Sequence, residues 1–283
     1  MKNLIRTRKV VGITGGSGVL GKFFIEKYKN IFNFKMFQGD ITNYKVLKRW
    51  YIESKPDYFL HFAAKVPVKF VEKNYKKSKK INVGGVSNII KIIENDKNLL
   101  WFFLASTSHV YKKTNFPLSE NSRTVPANKY GKTKLFAENK LKKIYKKKTI
   151  CIGRIFSFTD KSQSKDFVIP SIFKKIKESR NKKFIINEAT RDFIHIDDIC
   201  SAIYFLLRNN AKGIYNIGTG HISKITDVIK FFSKRLKKKI SIILKKNKVS
   251  DVLISNNNKI KSLGWYPKKS FLDILNDYYL SNR

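Results

Sequence analysis

The stretch Val10-Val11-Gly12-Ile13-Thr14-Gly15-Gly16-Ser17-Gly18-Val19-Leu20-Gly21 decides the fold. It is a short apolar run that ends in a glycine turn, and residues 19–29 behind it read as a helix. Gly15, Gly18 and Gly21 stand three apart. Glycine at such positions lets the backbone turn tightly, approach a pyrophosphate and pack helix against strand. The helix that follows offers free N–H groups and the positive end of its dipole. The strand–turn–helix context predicts a dinucleotide held by Gly15, Ser17, Gly18, Val19, Leu20 and Gly21.

Working outward, residues 35–38 read as a strand, 46–53 as a helix and 58–63 as a buried strand. Residues 79–94 are predicted helical, with Val83, Val86, Ile89, Ile90 and Ile93 near a 3.6-residue period. Residues 99–105 are continuously apolar, 129–145 read as a helix and 149–156 as a strand. Strands that are apolar throughout and alternate with helices indicate a parallel sheet covered on both faces. The fold class expected is α/β, a doubly wound parallel sheet. A cofactor-binding domain is expected over residues 1–157, with elements around 190–220 returning to it. Residues 158–283 are expected to form mainly a smaller substrate-binding region.

Composition narrows the function. The chain has 283 residues, of which 42% are hydrophobic, enough for a sizeable core. Cys151 and Cys200 cannot make a disulfide framework, and no pair is spaced for zinc, so no metal site is expected. A reduced, cytoplasmic setting fits best. No apolar run has the roughly 20 residues of a membrane helix. The apolar run after the basic start, residues 1–11, is too short for a secretory leader. The charge is the odd number: 60 Lys and Arg against 20 Asp and Glu, a net +40. One reading is a nucleic-acid-binding protein on a retained dinucleotide-binding fold, with steeply salt-dependent binding. The other, favoured here, is compositional drift, because only ten of the 60 are arginine and the basic residues are spread along the chain. Either way the field attracts anionic ligands such as diphosphates.

Tyr130-Gly131-Lys132-Thr133-Lys134 places Tyr130 and Lys134 on one helical face. A free tyrosine, with a pKa of about 10, is a poor base at neutral pH. A neighbouring ammonium and a cationic nicotinamide ring both favour the phenolate. The pair follows an apolar strand ending in Leu104-Ala105-Ser106-Thr107-Ser108-His109-Val110-Tyr111. With the glycine spacing, this set resembles the extended short-chain dehydrogenase/reductase family, the NAD(P)-dependent sugar-nucleotide epimerases, dehydratases and reductases. The resemblance implies a Rossmann-like sheet and a catalytic set of Thr107, Tyr130 and Lys134, with Thr107 holding the substrate oxygen, Ser108 also on the substrate, and Tyr130 and Lys134 also contacting the cofactor. In the family's 4,6-dehydratases the next two positions are Asp and Glu. Here they are Ser108 and His109, which argues against dehydration. His109 falls where related epimerase-reductases carry an extra acid or base; the alternative is a histidine that only hydrogen-bonds substrate or water.

Other segments carry the resemblance from about residue 9 to 280. His61-Phe62-Ala63-Ala64 resembles the strand end lining the nicotinamide side, which implies cofactor contacts at Phe62, Ala63 and Ala64. Asn82 begins a segment similar to the family's Asn-x-x-Gly helix and is expected on the cofactor too. Ser157 stands where the family has a substrate-contacting asparagine. Val168 belongs to a loop resembling the one that closes over the nucleotide. Arg191-Asp192-Phe193-Ile194-His195-Ile196-Asp197-Asp198 matches a family segment whose arginine pairs with the substrate diphosphate, as a planar fork suits. His195, Asp197 and Asp198 are read as hydrogen-bonding residues that pin this segment, not as metal ligands.

The span from Gly21 to Asp40 is short. Gly39-Asp40-Ile41-Thr42 arrives one strand earlier than in the family, so one strand and its connection are expected to be missing. Asp40, with Ile41 beside it, is expected on the adenosine side, at roughly the distance of a ribose carboxylate. Lys35 is a candidate for a 2′-phosphate, and the choice between NAD and NADP stays open, leaning slightly to NADP. The function expected is hydride transfer at a keto or hydroxyl carbon of a nucleotide-diphosphate sugar, by a 4-keto-sugar reductase or an epimerase. The family also implies a homodimer through the helices at 79–94 and 129–145.

Overall fold

A computed structural model describes residues 8–178, 183–187, 189–245 and 252–283. Residues 1–7, most of the stretch weighed above as a leader, lie outside the described residues. The first half of the chain alternates as expected: β1 (Val10–Thr14), α1 (Val19–Tyr28), β2 (Asn33–Phe37), α2 (Tyr44–Ser54) and β3 (Tyr58–His61). Then come α3 (Val68–Lys73), α4 (Tyr75–Lys79), α5 (Gly85–Ile93), β4 (Trp101–Thr107), α6 (Lys129–Lys142) and β5 (Ile150–Ile155). The second half runs α7 (Val168–Glu178), β6 (Lys183–Asn187), β7 (Thr190–Arg191), α8 (Ile196–Arg208), β8 (Gly213–Ile217), β9 (Ser223–Lys224) and α9 (Ile225–Arg235). It closes with β10 (Ser241–Lys245), β11 (Val252–Leu253), α10 (Asn258–Lys261) and α11 (Phe271–Asn282).

Six strands form one sheet in the order β2-β1-β3-β4-β5-β8, and every pairing is parallel. β8 comes from beyond residue 157 and pairs with β5. One strand, β2, lies outside β1, in agreement with the shortened connection from Gly21 to Asp40. The chain leaves β1 toward β2 on one side and reaches β3 on the other. That reversal opens a crevice at the carboxyl ends of β1 and β3, where ligands of such sheets bind.

Both faces are covered, which is why the central strands β1, β3 and β4 are mostly apolar. On one face Phe24 and Tyr28 of α1 and Ile199, Ile203 and Leu206 of α8 pack with Val11, Ile13 and Phe103. On the other, Leu47 of α2, Val86 and Ile89 of α5 and Leu141 of α6 pack with Phe59, Phe102 and Ile152. The later region has its own core, in which Phe173 of α7, Phe232 of α9 and Tyr278 of α11 meet. Two small sheets accompany it, β10-β6 and β11-β7-β9.

The helix expected over 79–94 is present and continuous, but one of its turns is not α-helical. A π-helical turn, Lys80–Gly84, separates α4 from α5. The buried Asn82 sits in that turn, and its side chain bonds the Lys65 backbone and Thr133.

Candidate active site

β1 delivers the chain to Gly15, which turns with φ 74°. A Cβ on Gly15 would lie 2.4 Å from the Ala63 nitrogen, and one on Gly21 would lie 2.3 Å from the Gly15 carbonyl oxygen. The loop is thus packed against both β3's exit and its own helix, and only hydrogen fits at either position. Gly18 caps α1 with no side-chain hydrogen bond, and the first turn of α1 has no acidic residue. A ten-residue helix therefore presents its N-terminal N–H groups and dipole outward. Ser17 and Gly18 are exposed, while Val19 and Leu20 are half-buried. This cradle fits a pyrophosphate.

Beside it, Phe62 donates its backbone N–H to Thr14 O at 3.0 Å, and its ring packs into the core against Phe24 and Phe103. Phe62 therefore offers the crevice backbone, and half-buried Ala63 and Ala64 follow it. Asn82 accepts from Lys65 N at 2.7 Å and donates to Lys65 O and Thr133 Oγ1, so it anchors the loop after β3 to α6. On the far side, exposed Asp40 accepts from Thr42 N at 2.8 Å. That bond, helped by Lys80 and Lys65, holds its carboxyl below the usual range. Ile41 is buried, and a Cβ on Gly85 would strike its Cδ1. Lys35 is exposed in mid-β2.

Thr107 ends β4 and Tyr130 and Lys134 rise from α6. Asn128 caps that helix through a 2.7 Å bond from Gly131 N. Thr107 Oγ1 accepts from His109 N at 3.3 Å, which leaves the hydroxyl hydrogen for Tyr130. Burial pushes the Tyr130 phenol up to about 12, against the pull of its Thr107 hydrogen bond. Burial pushes the Lys134 ammonium down to about 8, opposed by Glu138. The lowering suggested by the sequence counts a cationic nicotinamide ring as well as an ammonium; in the protein alone desolvation dominates Tyr130.

Beneath the pair lies a charged layer that motif reading missed. Arg154 of β5 donates from Nη2 to Glu138 of α6 at 2.7 Å, and both side chains are almost fully buried. Ser106 Oγ also donates to Glu138. Arg154 Nη1 donates to Glu120 O at 3.2 Å, and its guanidinium sits 4.7 Å from the centre of the Tyr111 ring. Glu138 was detectable as the next residue, four further on, of the face that carries Tyr130 and Lys134. Arg154 was detectable as a charge inside an apolar strand. His61 was also passed over. Its Nδ1 lies 2.6 Å from Thr14 Oγ1, and burial and Lys134 push it down to about 3, so it stays neutral. Its Nε2 is buried with no hydrogen-bond partner among the described residues.

The residues expected on the substrate divide between this centre and the later elements. Ser108 is buried in the 3₁₀ turn after Thr107, and the His109 ring stands edge-on to Tyr130, with centroids 6.0 Å apart. Ser157 follows β5 and bridges to Phe193. Val168 opens α7 and is exposed, and half-buried Arg191 lies on β7. The structure thus brings Thr107, His109, Tyr130 and Lys134 together, while Ser157, Val168 and Arg191 stand on the later elements. The segment after Arg191 is held by hydrogen bonds. Buried Asp192 accepts from Thr219, Gly220 and Ser255, and His195 meets Asp277 at 3.1 Å. Asp197 pairs with Lys27, and Asp198 accepts from Lys268 N and Lys269 N. Among the described residues no group of three His, Cys, Asp or Glu side chains could hold a metal ion. No helix among them is long and apolar enough to cross a membrane.

Residues 23–278 match the family model of GDP-mannose 4,6 dehydratase. The chain is 27% identical to the dTDP-D-glucose 4,6-dehydratase of Dictyostelium discoideum, over 77% of its own length and 60% of that enzyme's. It is 28% identical to the UDP-glucose 4-epimerase of Mycoplasma genitalium, covering 91% of each. Among solved structures, RMD from Pseudomonas aeruginosa complexed with NADPH superposes with a TM-score of 0.84 at 21% identity, covering 97% of each chain.

Proposed function

This chain belongs to the GDP-mannose 4,6 dehydratase family of sugar-nucleotide enzymes, and from that premise we propose that it transfers hydride at a keto or hydroxyl carbon of a nucleotide-diphosphate sugar. The observation that carries the reading is the convergence of Thr107, Tyr130 and Lys134 at the carboxyl end of β4, next to the glycine cradle. NAD or NADP, when bound, supplies or accepts the hydride.

Gly15, Ser17, Gly18, Val19, Leu20 and Gly21 would hold its pyrophosphate through backbone N–H groups and the α1 terminus. Phe62, Ala63 and Ala64 would line its nicotinamide side, and Asp40 and Ile41 its adenosine side. Asn82 serves that site by holding the loop at Lys65. Tyr130 is the acid and base: in a reduction it gives its proton to the substrate oxygen. At neutral pH the phenol carries that proton, as its upward displacement to about 12 requires. Lys134, charged below about pH 8, stabilises the phenolate left behind. Thr107 fixes the oxygen that the proton reaches.

Ser108 and Ser157 would contact the sugar, and Arg191 the diphosphate, with Val168 beside the nucleotide. A 4,6-dehydration is disfavoured, because Ser108 and His109 replace the acidic pair used for elimination in similar dehydratases. Net reduction and epimerisation use the same residues and differ in whether reduced cofactor is consumed. The test is fluorescence titration with NADH and NADPH, in enough salt to suppress non-specific attraction. Saturable micromolar binding of one, followed by turnover of a 4-keto-sugar nucleotide, is the expected result. Failure of both to bind would sink the proposal and turn attention to RNA binding driven by the +40 charge.

A further inference from the structure

His109 stands beside the proposed acid, and its ring nitrogens are not equivalent. Asn128 Nδ2 lies 3.0 Å from His109 Nδ1. The same amide's oxygen accepts the Gly131 N–H at 2.7 Å, as the cap of α6. An amide has one accepting end and one donating end. With the oxygen committed to the helix, only the NH2 group can face the imidazole, and an NH2 group only donates. His109 Nδ1 must therefore be the bare, accepting nitrogen, which places the ring hydrogen on Nε2. Rotating the amide to reverse this would set NH2 against the Gly131 N–H and lose the cap. The backbone leaves no slack, since a Cβ on Gly131 would come within 2.1 Å of the His109 carbonyl oxygen.

From this we infer that Asn128 is a positioning residue that locks His109 as an Nε2–H hydrogen-bond donor, so that His109 does not serve as a base that removes a proton from carbon. This rests on the reading of the site as a sugar-nucleotide oxidoreductase and deepens it. A neutral imidazole takes up a proton at its bare nitrogen, and here that nitrogen is turned toward Asn128. His109 can then orient a hydroxyl or carbonyl oxygen of the sugar. His109 then takes no part in removing a proton from the carbons that flank the keto group.

The test reads the tautomer in the full chain without cofactor or substrate, so it stands or falls separately from the oxidoreductase reading. The protein is labelled with 15N-histidine and its long-range 1H–15N spectrum recorded near neutral pH. Its four histidines are few enough for His109→Gln to identify the signals. The expected wild-type pattern has His109 Nδ1 unprotonated and Nε2 protonated. Asn128→Asp keeps a good helix cap but turns the group facing the ring into an acceptor. Its Nδ1 resonance is expected to move to the protonated position, with the thermal midpoint little changed. A protonated Nδ1 in the wild type would overturn the inference. An unaltered spectrum in Asn128→Asp, with folding intact, would overturn it as well. A second readout follows once a 4-keto-sugar nucleotide is turned over in D2O. Any deuterium at the flanking carbons is expected to be unaffected by His109→Gln, and incorporation abolished by that variant would contradict the donor-only role.

Discussion

The two halves of the crevice are built from different materials. At β1 and β3 the site consists of backbone: glycines too crowded for a methyl group, and a helix end with no side-chain cap. At β4, α6 and β5 it consists of buried ionisable side chains: Tyr130, Lys134, Glu138 and Arg154. The contrast follows from what each half is proposed to do. A pyrophosphate is recognised by shape and by N–H groups that carry no titratable proton. A proton transfer needs groups whose ionisation the fold can shift. The first half should thus be sensitive to volume and the second to charge.

The largest expected effect is on the second half. Tyr130→Phe removes one hydroxyl and almost no volume, and turnover should fall about a thousandfold. NADH or NADPH affinity measured by fluorescence should change by only a few-fold. An equal loss of affinity would break the distinction between the halves.

Glu138→Gln is nearly isosteric, yet it strands the buried Arg154 charge. Urea unfolding should show a loss of about 3–5 kcal/mol. Adding Arg154→Met should restore most of it, because the pair has little net worth when both charges are removed together. No recovery in the double variant would mean that Arg154 acts chiefly through Tyr111 and Glu120.

Lys134 sharpens the comparison through pH. Its pKa falls from 10.5 in the free side chain to about 8 in the fold. Between those values the unfolded chain binds more protons, so the Lys134 contribution makes stability rise with pH from about 8 to 10.5. Below about pH 8 the buried charge costs about 3 kcal/mol. Lys134→Met should recover part of that at pH 7 and none above pH 10.5, at the expense of activity. Urea titrations at several pH values check the sign, and parallel curves for wild type and variant would refute it.

The smallest effect belongs to the backbone half. Gly15→Ala adds one methyl at φ 74°, 2.4 Å from the Ala63 nitrogen. A loss of about 1–3 kcal/mol in stability is expected from the strain, together with weaker cofactor binding. A variant that binds NADH or NADPH as the wild type does would show that the cradle can shift.

Much of this was legible in the chain itself. The glycine spacing from Gly15 to Gly21 announced the cradle, and the early arrival of Gly39-Asp40 matches the one strand outside β1. The Tyr130–Lys134 spacing marked the helix face, and the same face carries Glu138. What was not legible was the partnering. The motif around Asn82 suggested the cofactor site but not that its side chain grips Lys65 and Thr133 from a π-helical turn. The depth at which Tyr130 is buried, which raises its phenol in the protein alone, is not visible in a spacing of four residues.

The sequence by itself determined the order of strands and helices, the phosphate-type turn and the cluster of polar residues at the end of β4. Those features depend on periodicity and turn chemistry within a few neighbouring residues. Only the tertiary structure decided that Glu138 meets Arg154, that His61 stays neutral beside Thr14, and that Asn128 faces His109 with its NH2 group. Such choices depend on which groups from distant segments share a dry interior. There the absence of water makes every donor, acceptor and charge answer to its immediate partner.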